Sequence, residues 1–184
     1  MNQKGGVGKT TTTVNLGAAL AALKKRVLLV DMDAQANLSL HLGIEVERLE
    51  RSSYTVLTGR STAREAVFFE LRPRLSVLPA NLDLAGAEVE LVNMVGRETV
   101  LRGALAPFLQ EEPFDYVLID CPPSLGLLSL NALLASTEVF VPLQTEFFAL
   151  QGMSRLLDVL ELIRSRLGHS IEITGIVPTL YDAR

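Results

Sequence analysis

Five short apolar runs divide the chain into regular segments. They cover residues 27–30, 75–78, 116–119, 139–143 and 171–177. These runs are rich in β-branched residues and lack strict apolar–polar alternation, a pattern that favours strands buried on both faces of a parallel sheet. Each run is short enough for one strand and is separated from the next by segments of different periodicity. The pattern therefore predicts five strands.

Helical periodicity fills the segments between these runs. It is clearest over residues 150–167, where apolar side chains recur at steps of three and four residues. These side chains are Leu150, Met153, Leu156, Leu157, Leu160, Ile163 and Leu167. We interpret Met153 as a core residue of this helix.

Two further helices are predicted less directly. Thr62 followed by Glu65 has the spacing of a capping box and predicts the start of a helix that carries Ala66, Phe68 and Phe69. Residues 81–94 are helical in composition but weaker in period. Strands that alternate with helices imply right-handed crossovers, so we predict a doubly wound, mostly parallel α/β sheet with helices on both faces, a three-layer α/β/α fold.

Composition narrows the class of protein. The chain has 184 residues, of which 48% are apolar and 21% charged, and one cysteine, Cys121. This size fits one domain, and a single cysteine excludes a disulfide framework and any zinc site built on cysteine pairs. No apolar run reaches the length of a membrane span, and no export signal is present. We therefore expect a soluble, cytoplasmic protein, whose net charge of −4 gives no overall attraction to nucleic acid.

The opening segment, MNQKGGVGKTTTT, carries the candidate chemistry. It follows the phosphate-loop pattern G-x-x-x-x-G-K-[ST] except that Gln3 stands at the first glycine. Glycines allow a loop to turn its amide groups inward, and the start of the following helix adds partial positive charge, so the segment predicts a phosphate site. Lys9 is then placed to meet the β and γ phosphates, and the Thr10 hydroxyl to face Mg²⁺.

Acidic residues follow two of the predicted strands. Asp31 and Asp33 come after the run at 27–30, and Asp120 comes after the run at 116–119. A single carboxylate in such a place can also cap a helix or solvate a turn. Ligands of open α/β sheets bind beyond the carboxyl ends of the strands, and together with the glycine-rich segment Asp120 is expected to hold the water shell of Mg²⁺.

The order of these motifs resembles the ParA/MinD group of P-loop ATPases, whose deviant Walker A motif K-G-G-x-x-[GK]-[KT] matches residues 4–10. The resemblance continues through VLLVDMDAQAN, YVLIDCPPSLG, VPLQTEFFALQG and VPTLYDAR, and within the group it is greatest to the ParA/Soj partitioning branch. It implies an ATP-dependent dimer that hydrolyses ATP to ADP and phosphate for chromosome or plasmid partitioning.

The resemblance also implies roles for individual residues. Phosphates and nucleotide would contact Lys4, Gly5, Gly6, Val7, Gly8, Lys9, Thr10 and Thr11. Lys4 would act from the partner subunit on the γ phosphate, and Asp33 would orient the attacking water, so that Lys4, Lys9 and Asp33 form the catalytic set. The metal set would be Thr10, Asp33 and Asp120, with Asp31 near Lys9.

The same resemblance implies binding partners and the extent of the domain. A ParB-like protein would stimulate slow ATP turnover, and the homodimer would bind DNA non-specifically at the nucleoid, with no attachment to a membrane. Only Met1 precedes Asn2, where the family has a strand, and the family continues past residue 184. We expect residues 1–184 to form one P-loop domain without its first strand and its carboxyl-terminal part, including the DNA-contacting region.

Two other functions fit the residues. One is a truncated, non-hydrolysing regulator that binds nucleotide, and the other is a MinD-like positioning ATPase. The intact set of Lys4, Lys9, Thr10, Asp33 and Asp120 argues against the first. MinD relatives attach to membranes through a terminal amphipathic helix, and none follows residue 177.

Overall fold

The computed structural model describes residues 6–144 and 149–180. Helices and strands alternate along these residues. The helices are α1 (Lys9–Ala22), α2 (Asn37–His41), α3 (Ser53–Leu57), α4 (Ala63–Ala66), α5 (Leu84–Leu91), α6 (Val100–Glu111), α7 (Leu127–Leu134) and α8 (Ala149–Leu167). The strands are β1 (Val27–Asp31), β2 (Phe68–Arg72), β3 (Leu75–Leu78), β4 (Tyr116–Asp120), β5 (Glu138–Gln144) and β6 (Glu172–Thr179).

The strands form two hydrogen-bonded sheets. One sheet has the order β2-β3-β1-β4, in which β1 pairs in parallel with both β3 and β4, and β2 joins the edge in the antiparallel sense. The other sheet is the parallel pair β5-β6. Helix α1 packs against β1, β4 and β5, so it lies across both sheets. The first residues of this helix are therefore held between the two sheets.

Strand β1 shows why the fold has three layers. All five of its residues are buried. Leu28 and Val30 belong to a core cluster shared with α3, α4, α5 and α6, whereas Val27 and Leu29 belong to a cluster that packs against α1 and α2. Successive side chains of a strand point to opposite faces, so both faces of the sheet are covered by helices, as the unalternating apolar run predicts.

The second sheet has a core of its own. Val139 and Val141 of β5 pack with Leu156, Leu160 and Ile163 of α8. The predicted helix over residues 150–167 is confirmed as α8, and Met153 is partly buried against the same cluster. All five strands predicted from the apolar runs are also present, and the doubly wound α/β class is confirmed.

The prediction of a helix that carries Phe68 and Phe69 is wrong at the carboxyl-terminal end of that helix. The capping box that starts it is present: the Thr62 amide donates to Glu65 Oε2 at 2.8 Å, and the Glu65 amide donates to Thr62 Oγ1 at 3.3 Å. The helix stops at Ala66, and both phenylalanines lie in β2, which pairs with β3. Aromatic residues favour strands, and the edge of β3 is available for pairing, so both phenylalanines form a strand and do not extend the helix.

The weak helical pattern at residues 81–94 corresponds to a shorter helix. Helix α5 covers Leu84–Leu91, and the residues on either side form turns. Across the described residues, no helix is both long enough and apolar enough to cross a membrane.

Alanine substitutions at two helical glycines are expected to change the stability in opposite directions. A Cβ atom on Gly17 of α1 would lie 2.7 Å from Cδ2 of the fully buried Leu29, whereas a Cβ on Gly103 of α6 would meet no atom within 4 Å. Alanine favours a helix over glycine by about 1 kcal/mol, and overpacking a core costs about 1–3 kcal/mol. We expect Gly103→Ala to raise the free energy of unfolding by about 0.5–1 kcal/mol and Gly17→Ala to lower it. Urea unfolding of both variants tests this, and a gain in stability for Gly17→Ala would show that the contact with Leu29 relaxes without cost.

Candidate nucleotide-binding site

The glycine-rich segment forms a tight loop in front of α1. Gly6 and Gly8 have φ values of 82° and 84°, in the left-handed region that glycine adopts readily. Between them, the Val7 side chain is fully buried, and its carbonyl oxygen accepts a hydrogen bond of 2.9 Å from Thr179 Oγ1 at the end of β6. This contact joins the loop to the second sheet.

Helix α1 begins directly after this loop with an uncapped amino terminus. Its N-cap residue is Gly8, which offers no side chain, and its first turn contains no acidic residue. The amide groups of a first helical turn have no partner within the helix, and the helix dipole places partial positive charge there. With Lys9 as the first helical residue, this end of α1 is suited to bind a polyanion.

Asp120 lies beside this helix end and is the carboxylate most closely joined to it. Thr10 Oγ1 donates a hydrogen bond of 2.6 Å to Asp120 Oδ2. Asp120 is 2% exposed, and its Oδ1 has no hydrogen-bond partner among the described residues. Burial raises the pKa of Asp120 to about 6, and the bond from Thr10 and the charge of Lys9 oppose that rise. The site therefore contains a buried carboxylate oxygen available to a further ligand.

Asp33 lies in the loop that follows β1. It is half-buried, and its Oδ1 accepts a hydrogen bond of 3.0 Å from the Gln35 amide. The negative charge of Asp33 contributes to raising the pKa of Asp120, as does that of Asp31. The carboxylates of Asp31 and Asp33 thus act on Asp120 across the same sheet edge.

Asp31 is held differently from Asp33. It is fully buried, and its oxygens accept hydrogen bonds from the amides of Asp33 and Ser39 and from the Ser39 hydroxyl. Burial raises the pKa of Asp31 to about 6, and the bonds from Ser39 oppose that rise. Both oxygens of Asp31 are therefore engaged with the chain itself.

The arrangement fits a magnesium ion only together with a ligand. The described residues contain no group of three His, Cys, Asp or Glu side chains that could hold a metal by themselves. Mg²⁺ is commonly bound by one or two protein oxygens together with substrate phosphates and water. Thr10 Oγ1 and the unpartnered Asp120 Oδ1 supply such oxygens at the start of α1, and these two residues fit the ion.

The structure brings together part of the predicted site. Gly6, Gly8, Lys9 and Thr10 form the loop and the helix start, with Val7 as its buried anchor and Thr11 exposed on the next position. Lys4 and Gly5 lie outside the described residues, so their roles stay predictions. The segments that include Tyr181 and Thr145 also lie outside the described residues.

Sequence reasoning missed two polar residues of this region. Thr179 is separated from Val7 by 172 positions, and Ser39 from Asp31 by 8. Neither residue belongs to a motif that names it as a partner. For Ser39, the signal available was a small polar residue between two leucines, shortly after the acidic motif.

Cys121 directly follows Asp120 and is partly buried. Burial raises its pKa to about 12, and the neighbouring Asp120 charge adds to the rise. Its side chain packs against the core of the second sheet. A thiol with such a pKa stays protonated at neutral pH.

The raised pKa values predict a pH-dependent stability in the absence of ligand. Between pH 3.8, the ordinary value, and about 6, folded Asp31 and Asp120 hold protons that the unfolded chain releases. Their contribution to stability is therefore present below about pH 4 and falls as the pH rises to about 6, by an amount on the order of 3 kcal/mol for each carboxyl. In urea unfolding at pH 4.5 and pH 7, we expect Asp120→Asn to lose less stability than the parent chain between the two values. Equal losses in both chains would contradict the burial cost assigned to Asp120.

Comparisons with known proteins place the chain in a family. Residues 1–173 match the model of the AAA domain family AAA_31. The chromosome partitioning protein ParA of Caulobacter vibrioides is 49% identical over 183 residues, which are 100% of this chain and 68% of that protein. The sporulation initiation inhibitor protein Soj of Bacillus subtilis is 48% identical, over 100% of this chain and 72% of that protein.

Among solved structures, cobyrinic acid a,c-diamide synthase of Mycobacterium smegmatis with a bound ATP analogue and magnesium is 44% identical. It superposes with a TM-score of 0.93 over 100% of this chain and 74% of that one. With this agreement of sequence and fold, the chain belongs to the AAA_31 family of AAA domains and is a relative of the ParA and Soj proteins.

Proposed function

We propose that the protein is a ParA-like P-loop ATPase, a dimerising switch that hydrolyses ATP to ADP and phosphate in chromosome or plasmid partitioning. The observation that carries this proposal is the hydrogen bond of 2.6 Å from Thr10 to Asp120. It joins the phosphate loop to an acidic strand end and leaves a buried carboxylate oxygen without a partner in the described part of the chain. The solved relative with an ATP analogue and magnesium supports Mg·ATP as the ligand.

Phosphate binding follows from the geometry of the loop. The amide groups from Gly6 to Thr10 and the positive end of α1 would surround the β phosphate, while Lys9 would neutralise charge on the β and γ phosphates. When bound, Mg²⁺ would supply a positive charge that stabilises the phosphate oxygens, held through Thr10 and Asp120. Val7 and Thr179 would keep the loop in place against β6.

Hydrolysis needs a group that orients water at the γ phosphate. Asp33 is suited to this role because it is half-exposed, lies in a loop at the same sheet edge, and interacts electrostatically with Asp120. The catalytic contribution would come mainly from positioning and electrostatic stabilisation, as in other phosphoryl-transfer enzymes. The combination of Lys9, Thr10, Asp33 and Asp120 supports turnover over the non-hydrolysing alternative.

Dimerisation would complete the site. By the resemblance to ParA, Lys4 would reach the γ phosphate held by the partner subunit, where a cation stabilises the charge of the transition state. Hydrolysis would then depend on the dimer, which would bind DNA non-specifically in the cytoplasm at the nucleoid. A ParB-like partner would accelerate slow turnover and so release the dimer.

Two substitutions separate binding from hydrolysis. We expect Lys9→Ala to weaken Mg·ATP binding by at least about tenfold and to abolish turnover, because the phosphates lose their nearest charge. Asp33→Ala should keep Mg·ATP affinity and lose about 10²-fold in phosphate release, because only the positioning of water is removed. Calorimetry with Mg·ATP and a phosphate-release assay, with and without DNA and a ParB-type peptide, measure the two quantities.

Matched controls keep this test specific. Lys25→Ala removes an exposed lysine beyond the end of α1, and Asp158→Ala removes an exposed carboxylate of α8. Both variants should match the parent in binding and in turnover. Binding without any turnover by the parent chain would favour the non-hydrolysing regulator, and undiminished hydrolysis by Asp33→Ala would remove Asp33 from the catalytic set.

A mixing experiment tests the proposed action of Lys4 across the dimer. Lys4→Ala and Asp33→Ala should each be inactive alone. A mixed dimer contains one complete site, with Asp33 from one chain and Lys4 from the other, so an equal mixture should recover roughly a quarter of the parental rate by symmetry. Phosphate release by the mixture, together with light scattering for the dimer, gives the answer; no recovery despite mixed dimers would show that Lys4 acts within its own subunit.

A further inference from the structure

The loop that carries Asp33 is closed at its base by one buried carboxylate. Asp31 Oδ1 accepts a hydrogen bond of 3.2 Å from the Asp33 amide, and Oδ2 accepts bonds from the amide and the hydroxyl of Ser39 at 3.0 and 2.7 Å. Asp31 ends β1, and Ser39 lies in α2. The same side chain therefore holds both ends of the intervening loop.

Ser39 makes a further bond that extends the connection to a second strand. Its hydroxyl donates to Asp31 and accepts a hydrogen bond of 3.0 Å from the Ala80 amide, which lies just beyond the end of β3. Ser39 is fully buried, so no water can replace these bonds without a change of structure. One hydroxyl thus connects the ends of β1 and β3 to α2.

The loop between these two bonded residues is otherwise short and locally constrained. Ala36 has a φ of 51°, and its amide donates to the Asp33 carbonyl at 2.8 Å. The Met32 amide donates to the Asp120 carbonyl at 2.9 Å. Asp33 is therefore positioned relative to Asp120 by the backbone of Met32 on one side and by the contacts of Asp31 and Ser39 on the other.

Packing of the hydrophobic core alone does not require a carboxylate at position 31. A fully buried carboxylate is costly unless donors surround it, and three donors from the loop surround this one. All three come from the two ends of the segment that carries Asp33. The placement indicates that the carboxylate fixes the conformation of that segment.

We propose that Ser39 is a positioning residue for ATP hydrolysis, which acts through Asp31 to hold the loop that carries Asp33. This inference rests on the proposed ATPase function. Removal of the hydroxyl leaves Asp31 with one donor fewer and the Ala80 amide without its acceptor. The loop then opens, Asp33 moves away from the attacking water, and the turnover number falls while the phosphate loop still binds Mg·ATP.

The test compares two buried serines whose hydroxyls each accept a backbone amide bond. Ser39→Ala removes the hydrogen-bond acceptor of the Ala80 amide. Ser76→Ala removes the acceptor of the Glu70 amide, and Ser76 lies near the start of β3, at the opposite end from Ala80. We expect kcat to fall by at least about tenfold in Ser39→Ala, with KM for ATP within about threefold of the parent, because a misplaced group costs rate more than binding. Ser76→Ala should keep the parental kcat, and Ser39→Thr, which retains the hydroxyl, should recover most of the loss.

Amide hydrogen exchange provides a readout that does not depend on turnover. In nucleotide-free protein, Ser39→Ala should speed exchange at the Asp33 and Ala80 amides, whereas Ser76→Ala should speed exchange at Glu70 only. If the parent chain shows no turnover, the proposed ATPase function is rejected. The exchange comparison then decides separately whether Ser39 holds the loop that carries Asp33. Unchanged exchange at Asp33 in Ser39→Ala, or an unchanged kcat in an active background, would overturn the role of Ser39.

Discussion

The parallel pairing of β1 with β4 is the constraint on which the site depends. Its register sets Asp31 opposite Asp120 at the carboxyl ends of two neighbouring strands. Both side chains are almost completely buried, so burial raises the pKa of each carboxyl, and the charge of Asp31 adds to the rise at Asp120. Such an edge is destabilising unless positive charge comes to it, and Lys9 at the start of α1 is the cationic group that lowers the pKa of Asp120.

The phosphate loop is held by elements that are far apart in sequence. Thr10 contacts Asp120 of the first sheet, and Val7 contacts Thr179 of the second. Helix α1 lies across both sheets, so its uncapped amino terminus is fixed at the point where they approach each other. An anion bound there would meet amide groups that are already oriented, which limits the entropy lost on binding.

Much of the architecture could be predicted from the sequence because burial has a local signature. The run at 27–30 is apolar at every position, and in the structure both of its faces are covered. The phosphate loop was also recognisable, since glycines directly before a lysine and a threonine form a local motif within a few residues. Asp120 was expected to contribute because it follows a buried strand, and the structure places it against Thr10.

The rest could not be predicted because it depends on partners distant in sequence. Phe68 and Phe69 belong to a strand only because the edge of β3 is available to pair with them. The contact of Thr179 with Val7 depends on how the second sheet lies against the loop, and no pattern within β6 indicates it. The different roles expected of Asp31 and Asp33 came only from the family resemblance, because two carboxylates separated by one residue look equivalent in a sequence.

Hydrogen-bond satisfaction distinguishes the buried carboxylates more clearly than burial does. Asp31 and Asp120 end neighbouring strands in the same register and are equally inaccessible. Asp31 accepts three hydrogen bonds from its own loop, whereas Asp120 accepts one and has an oxygen without a partner in the described chain. A buried polar atom left unpaired costs about 1–3 kcal/mol, a cost that folding alone does not recover. The imbalance indicates that Asp31 serves the structure of the loop, whereas Asp120 Oδ1, unpaired among the described residues, is open to the ligand proposed for this site.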